Sequence, residues 1–223
     1  MKRLLLPLLA LAMTAALPAA DKQIIAVYDL EGAISEGGQG ESSLLSLSMD
    51  AGRPLTHFDL VRSLQAAAAD EDVKGVVLEV DQAGIGTAQI QELGRHLNTI
   101  REAGKDVWIY TDSLNLRTAL LGASANHFVL MPEGNVSLTG LYSESLYFKN
   151  LLDKVGVTAD VVHIGDFKSA GETFYRTGPS EPAARQSAEL LDSLWNQITG
   201  HIAKGRGIEP AELTAFIDAG FRT

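Results

Sequence analysis

From residue 24 onward, short β-branched apolar runs alternate with longer stretches whose apolar positions recur every three or four residues, which predicts strands alternating with helices. Ile24 to Leu30 (IIAVYDL), Gly75 to Val80 (GVVLEV) and Val107 to Tyr110 read as buried strands. Between the first two, Phe58, Leu60, Val61 and Leu64 fall at helical spacing up to the Ala66 to Ala69 run, entered through Thr56 and Asp59 as a capping box. Thr87 to Ala103 is an amphipathic helix, and Arg117 to Ala125 a second helix built of small residues. His127 to Leu130, Asn135 to Leu138 and Thr158 to Ile164 predict further short strands, with a helix at Ser145 to Val155 between the last two. A long helix follows from about Glu181 to Lys204, with Leu190, Leu191, Leu194 and Ile198 on one face. The α/β order favours a parallel or mostly parallel sheet with a ligand site at its strand ends, where Asp81 to Gly86 and Thr111 to Asn115 fall.

Three stretches depart from this pattern. Lys2 and Arg3 precede an apolar run from Leu4 to Leu17, then Pro18-Ala19-Ala20 and the charged Asp21-Lys22. Residues 1–20 therefore read as a signal peptide or N-terminal membrane anchor, leaving 21–223 as the folded domain. Pro18 stands where a cleavage site wants a small residue, which tilts the reading towards an uncleaved anchor, and the positive residues place the rest of the chain on the far side of the membrane. Glu31 to Arg53 is rich in Gly and Ser and long for a loop, so it is expected to be a mobile surface segment ending at Pro54. Finally, Thr223 arrives within a fresh helical pattern, Pro210 to Phe221, and the domain reads as cut short at its C-terminal end.

Composition removes several classes of function. A chain of 223 residues with 46% apolar content buries a sizeable core, and a formal net charge of -10 repels phosphates, so nucleic acid is not an expected partner. Without cysteine there is no disulfide, thiol nucleophile or thiolate metal site. His57, His96, His127, His163 and His201 show no metal-ligand spacing, and Gly84-x-Gly86 lacks the rest of a dinucleotide fingerprint, so neither metal nor cofactor is assigned. Trp108 and Trp195 read as core or interface anchors.

Chemistry concentrates in Val162-His163-Ile164-Gly165-Asp166-Phe167-Lys168-Ser169-Ala170-Gly171-Glu172-Thr173-Phe174, a predicted strand that runs through Gly165 into a lysine. Beside Phe167 and Ala170, Lys168 is expected to be partly desolvated and so usable as a general base. Spacing alone favours the plainer reading, an exposed lysine at a strand exit.

The residues around it resemble the signature of the S49 family, the signal peptide peptidase A group. Phe167-Lys168-Ser169-Ala170, Glu172-Thr173-Phe174, Arg176 and Glu181-Pro182-Ala183-Ala184-Arg185 match it in order, supported by Leu138-Thr139-Gly140-Leu141-Tyr142 and by Tyr147 to Val157. The similarity covers about Ile24 to Ala215. It implies a ClpP/crotonase-like fold of stacked β-β-α units, and Lys168 as the catalytic base. Complete members of that family carry Ser-Gly-Gly at the start of a helix, and counting back from Ala125-Asn126 places the serine at Leu116, where Leu114-Asn115-Leu116-Arg117-Thr118 has neither hydroxyl nor glycine pair at the needed position. Ser113 is nearby but displaced. Where the family has an Asn-Ser-Pro-Gly-Gly oxyanion loop, this chain has Asp81-Gln82-Ala83-Gly84-Ile85-Gly86, whose ordinary reading is a strand-to-helix connection.

Lysine kept and serine lost resembles the N-terminal repeat of the long, two-repeat members. The resemblance implies a membrane-associated serine–lysine endopeptidase of the inner membrane's periplasmic face, or of the periplasm if the leader is removed. It degrades cleaved signal peptides or other polypeptides, and its serine comes from a second repeat or subunit. Homo-oligomers are the family's habit. A catalytically inactive assembly or binding module is the alternative, and an acyl-CoA enzyme of crotonase type fits the export segment and the serine–lysine signature poorly.

Overall fold

A computed structural model describes residues 23–37 and 55–220. The expected leader, most of the Gly/Ser segment and the last three residues lie outside the described residues. Four strands, β1 (Ile24–Ala33), β2 (Val73–Gly84), β3 (Asp106–Asn115) and β4 (His127–Ser137), form one sheet in the order β1-β2-β3-β4, every pair parallel. Each crossover is a helix: α1 (His57–Ala69), α2 (Thr87–Glu102) and α3 (Leu116–Gly122). The α/β class follows from the alternating pattern, since parallel neighbours cannot be joined by a tight turn.

Register explains the core. Alternate residues Leu30, Val76, Leu78, Val80, Val107 and Ile109 lie buried on the face covered by the helices, against Leu60 and Leu64 of α1 and Leu93, Leu97 and Ile100 of α2. The opposite face is open. Ile25, Val27, Trp108, Tyr110 and Val129 stand exposed there, and Trp108 stacks on His127 across β3 and β4 with ring centroids 3.9 Å apart. Trp108 is therefore a sheet-face residue without cover among the described residues, whereas Trp195 packs against the core.

Local signals fix the joints. Thr56 Oγ1 accepts from the Asp59 amide at 3.1 Å and donates to its carboxylate at 2.8 Å, which is the cap expected at the start of α1. The His57 and Phe58 amides, orphaned by the helix start, donate to Ser35 and Glu36 carbonyls at 2.8 and 3.1 Å. At the other end Lys105 Nζ reaches the Ala67 and Asp70 carbonyls at 2.7 and 2.5 Å, tying α1 to the approach to β3.

Strand lengths differ from the sequence expectation for a physical reason. His127 to Leu130 and Asn135 to Leu138 belong to one strand interrupted in register: β3 advances from Thr111 to Ser113 while β4 advances from Leu130 to Asn135. A second irregularity separates Glu31 from Ala33 on β1. Such interruptions bend a strand, giving the strand-bend-strand-helix repeat of a β-β-α unit.

Beyond Ser137 the chain leaves the sheet. The helix predicted at Ser145 to Val155 is shorter, α4 (Lys149–Lys154). Thr158 to Ile164, expected as a strand, is irregular and has no strand partner among the described residues, and Val162 and Ile164 are 92% and 90% exposed. A single 3-10 turn (Ser169–Gly171), α5 (Glu172–Tyr175), α6 (Glu181–Arg206) and α7 (Pro210–Ala219) complete the order. α6 is held at both ends. Ile198, Ile202 and Ala203 are buried, Arg206 donates to the Gly122 carbonyl at the end of α3 at 2.6 Å, and Ala183 is buried in the first turn, whereas Leu190 and Leu194 near the middle face solvent.

Candidate functional site

The position that matches a nucleophile, Leu116, is the first residue of α3, at the carboxyl end of β3. Its side chain packs half-buried against the core. Around it the helix start is closed by its own residues. Asn115 Oδ1 accepts from the Arg117 and Thr118 amides at 2.9 and 3.1 Å, while Thr118 Oγ1 accepts from the Asn115 amide at 2.8 Å and donates to the Ser113 carbonyl at 2.9 Å. These are the donors that a helix start would otherwise offer to an anion. Ser113 itself lies in β3, paired with Asn135, and its amide donates to Thr111 Oγ1 at 3.2 Å.

The loop matching the oxyanion hole is similarly occupied. The Ile85 amide donates to the Ala83 carbonyl at 3.0 Å, and the Gly86 amide to Gln89 Oε1 at 2.7 Å, with Gln89 also holding the Ile34 carbonyl at 3.2 Å. An oxyanion hole needs donors aimed into an empty site. Here both amides already have partners, and the stretch serves as a strand-to-helix connection. A Leu116→Ser variant is accordingly expected to stay unlabelled by a serine-directed fluorophosphonate probe. Mass spectrometry showing one probe per chain on that serine would sink this account.

Acidic groups gather where the strands end. Asp112, beside the Asp81 carboxyl and hydrogen-bonded with it, raises the Asp81 pKa, with burial and Asp29 adding to the rise. One Asp112 oxygen is buried without a partner. Among the described residues no group of three or more side chains is placed to hold a metal ion. Because the folded-state pKa of Asp81 is raised, the repulsion penalises the fold above that pKa and vanishes as pH falls towards the ordinary value, about 3.9. Asp112→Asn should therefore raise the urea midpoint at pH 7, and the gain should shrink as pH falls from above the raised Asp81 pKa towards the ordinary value. A gain independent of pH would disprove the charge origin.

Lys168 lies elsewhere, on the segment that leads back to α6. Gly165, at φ +94, turns the chain after Ile164, and the Lys168 amide closes the turn on the Gly165 carbonyl at 3.3 Å. The Lys168 side chain is exposed. This corrects the expected desolvation: Phe167 is half exposed and leans towards Arg185, whose guanidinium sits 5.4 Å from its ring centroid. Neighbouring contacts brace the turn. The Phe148 amide donates to the Thr173 carbonyl at 2.6 Å, the Phe148 and Phe174 rings stack at 6.2 Å, and His163 stacks on Tyr175 at 6.4 Å. Gly171 sits so close to Val161 that an added Cβ would meet its Cγ1 at 2.5 Å.

Sequence reading passed over the polar half of this brace. Glu172, 6% exposed, accepts from the Ser180 amide at 2.8 Å and from its hydroxyl at 2.6 Å. Ser180 is also the N-cap of α6, its oxygen accepting from the Ala183 amide at 3.3 Å. The signal was present as a serine directly before Glu181-Pro182, since proline favours the first turn of a helix. An apolar groove of about 380 Å³ lies behind α3, lined by Leu114, Phe128, Leu138, Ile202 and Leu213 among others.

The chain is thus an α/β protein with a parallel sheet, a capped helix where a nucleophile would stand and a braced lysine turn on an outlying segment. The family model of peptidase family S49 matches residues 99–220, more than half of the chain, and the chain belongs to that family. The family's ClpP-like fold is the one described above. Among similar proteins, "Protease 4" of Haemophilus influenzae is 32% identical over 158 residues, 70% of this chain and 26% of that protein. "Protease 4" of Salmonella typhi is 30% identical over 171 residues, 76% of this chain and 28% of that one. The "Putative signal peptide peptidase SppA" of Enterococcus faecium is 26% identical over 194 residues, 86% of this chain and 53% of that protein. The chain spans about a quarter of the length of the two Protease 4 relatives.

Proposed function

We propose that this chain is the lysine-bearing half of a serine–lysine peptidase, with Lys168 as general base and the serine supplied by a second repeat or subunit. One observation supports it above the others: the helix start at Leu116 is sealed by Asn115 and Thr118, while Lys168 is held exposed on a braced turn, available to another segment. A base needs only hydrogen-bond reach of the hydroxyl, whichever segment delivers it. Docking of the serine-bearing half over the turn removes water from Lys168 and favours the neutral amine. The amine then takes the serine proton as the oxygen attacks the scissile carbonyl, passes it to the leaving amine, and later activates the water that hydrolyses the acyl-enzyme. Polypeptides, cleaved signal peptides among them, are the substrates in this reading, and residues 1–20 hold or deliver the protein at the periplasmic face of the inner membrane. No helix among the described residues is long and apolar enough to cross a membrane.

The test is hydrolysis of a denatured polypeptide by this chain alone and mixed with a serine-bearing repeat of the family. Activity only in the mixture supports the reading, whereas activity of this chain alone would require a nucleophile other than Leu116. A second reading, an inactive assembly module, is favoured by the open apolar sheet face around Trp108 and Tyr110. Stable association of the two halves without any hydrolysis would select it.

A further inference from the structure

We propose that Glu172 is a positioning residue for Lys168, its buried carboxylate locking the lysine turn to the N-terminus of α6. The inference rests on the proposed role of Lys168 and adds the element that sets where that amine stands.

Three observations carry it. First, both oxygens of the carboxylate are committed to one residue: Oε2 accepts from the Ser180 amide at 2.8 Å and Oε1 from the Ser180 hydroxyl at 2.6 Å, with Arg176 Nε at 4.0 Å. A carboxylate hydrogen-bonded at both oxygens has one orientation, unlike an exposed ion pair that exchanges with water. The Ser180 hydroxyl, then its amide, hold the Glu172 pKa below the usual glutamate range, so the charged form is the one built in. Second, the two ends joined are the functionally relevant ones. Glu172 follows directly on the Lys168–Gly171 turn, and Ser180 begins a helix whose far half is buried and bonded through Arg206 to the end of α3. Position is therefore transmitted along a helix from the end of α3 to a segment that has no strand partner among the described residues. Third, a second tie runs parallel to the first, Arg185 of α6 resting on the ring of Phe167, the residue beside Lys168. An apolar contact would stabilise the same junction without fixing its register; a two-point hydrogen bond fixes both distance and rotation.

The experiment uses the full chain assembled with its serine-bearing half, comparing the parent with Glu172→Gln, Ser180→Ala and Lys168→Ala. Active-site titration gives kcat per competent site, and thermal unfolding is followed alongside. Glu172→Gln should lower kcat about 10–100-fold with KM within about 2-fold, as small misplacements of a catalytic group do. It should also move the limb of the pH profile that Lys168→Ala removes. Ser180→Ala, which leaves the amide donor in place, should fall between Glu172→Gln and the parent.

A loss of competent sites with unchanged kcat and pH limb would make Glu172 merely structural and overturn the proposal. If Lys168→Ala is inactive while Glu172→Gln matches the parent, this inference fails and the role of Lys168 stands. If Lys168→Ala remains active, both fall.

Discussion

Lys168→Ala, made in the assembled protein, lowers kcat by about 10²–10⁴, the range that a positioned general base contributes. Lys168→Arg should not restore activity, because a guanidinium keeps its proton at any working pH and cannot accept the serine's. The same alanine should leave the stability of this chain alone within about 0.5 kcal/mol, as Lys168 is exposed. That combination separates a catalytic loss from a folding loss. Stopped-flow acylation with an ester substrate, together with urea unfolding of the isolated chain, measures both, and unchanged acylation would remove Lys168 from the chemistry.

Leu78→Ala should be the most damaging of simple core truncations, costing about 2–5 kcal/mol of folding stability. Leu78 lies on β2, one of the two inner strands, fully buried under the helices. It is flanked in register by Tyr28 and Ile109, so the surrounding strands have little freedom to collapse into the void. Against a typical domain stability of about 5–15 kcal/mol, such a loss is a large shift in urea midpoint. Val162→Ala is the matched control. It removes apolar volume from a side chain 92% exposed and should change the chain's stability by no more than about 0.5 kcal/mol. Similar costs for the two would mean that Leu78 does not lie in the packed core.

The alternation of strands and helices was legible because burial on one side of a parallel sheet leaves period-two runs and amphipathic helices in the sequence. Thr158 to Ile164, apolar and β-branched at Val161, Val162 and Ile164, reads as a strand on the same grounds. It forms no ladder here: propensity belongs to the segment, but pairing requires a neighbouring strand, and none among the described residues pairs with it. Lys168 was legible through the motif around it, whereas its exposure was not, because desolvation depends on what covers a side chain. Asn115 and Thr118 were visible as residues and were read only as the absence of Ser-Gly-Gly. Their spacing carries positive information, a cap that uses the very amides an active helix start would leave open.

That cap decides what a serine at residue 116 would meet. Leu116→Ser places a hydroxyl on a helix whose Arg117 and Thr118 amides are already bonded to Asn115, so the change alone opens no donors for an oxyanion. Clearing those amides by changing Asn115 or Thr118 weakens the helix start while providing no nucleophile, at a cost of about 0.5–2 kcal/mol. Building a nucleophile site at this helix end therefore takes at least two coupled changes, neither of which is productive alone.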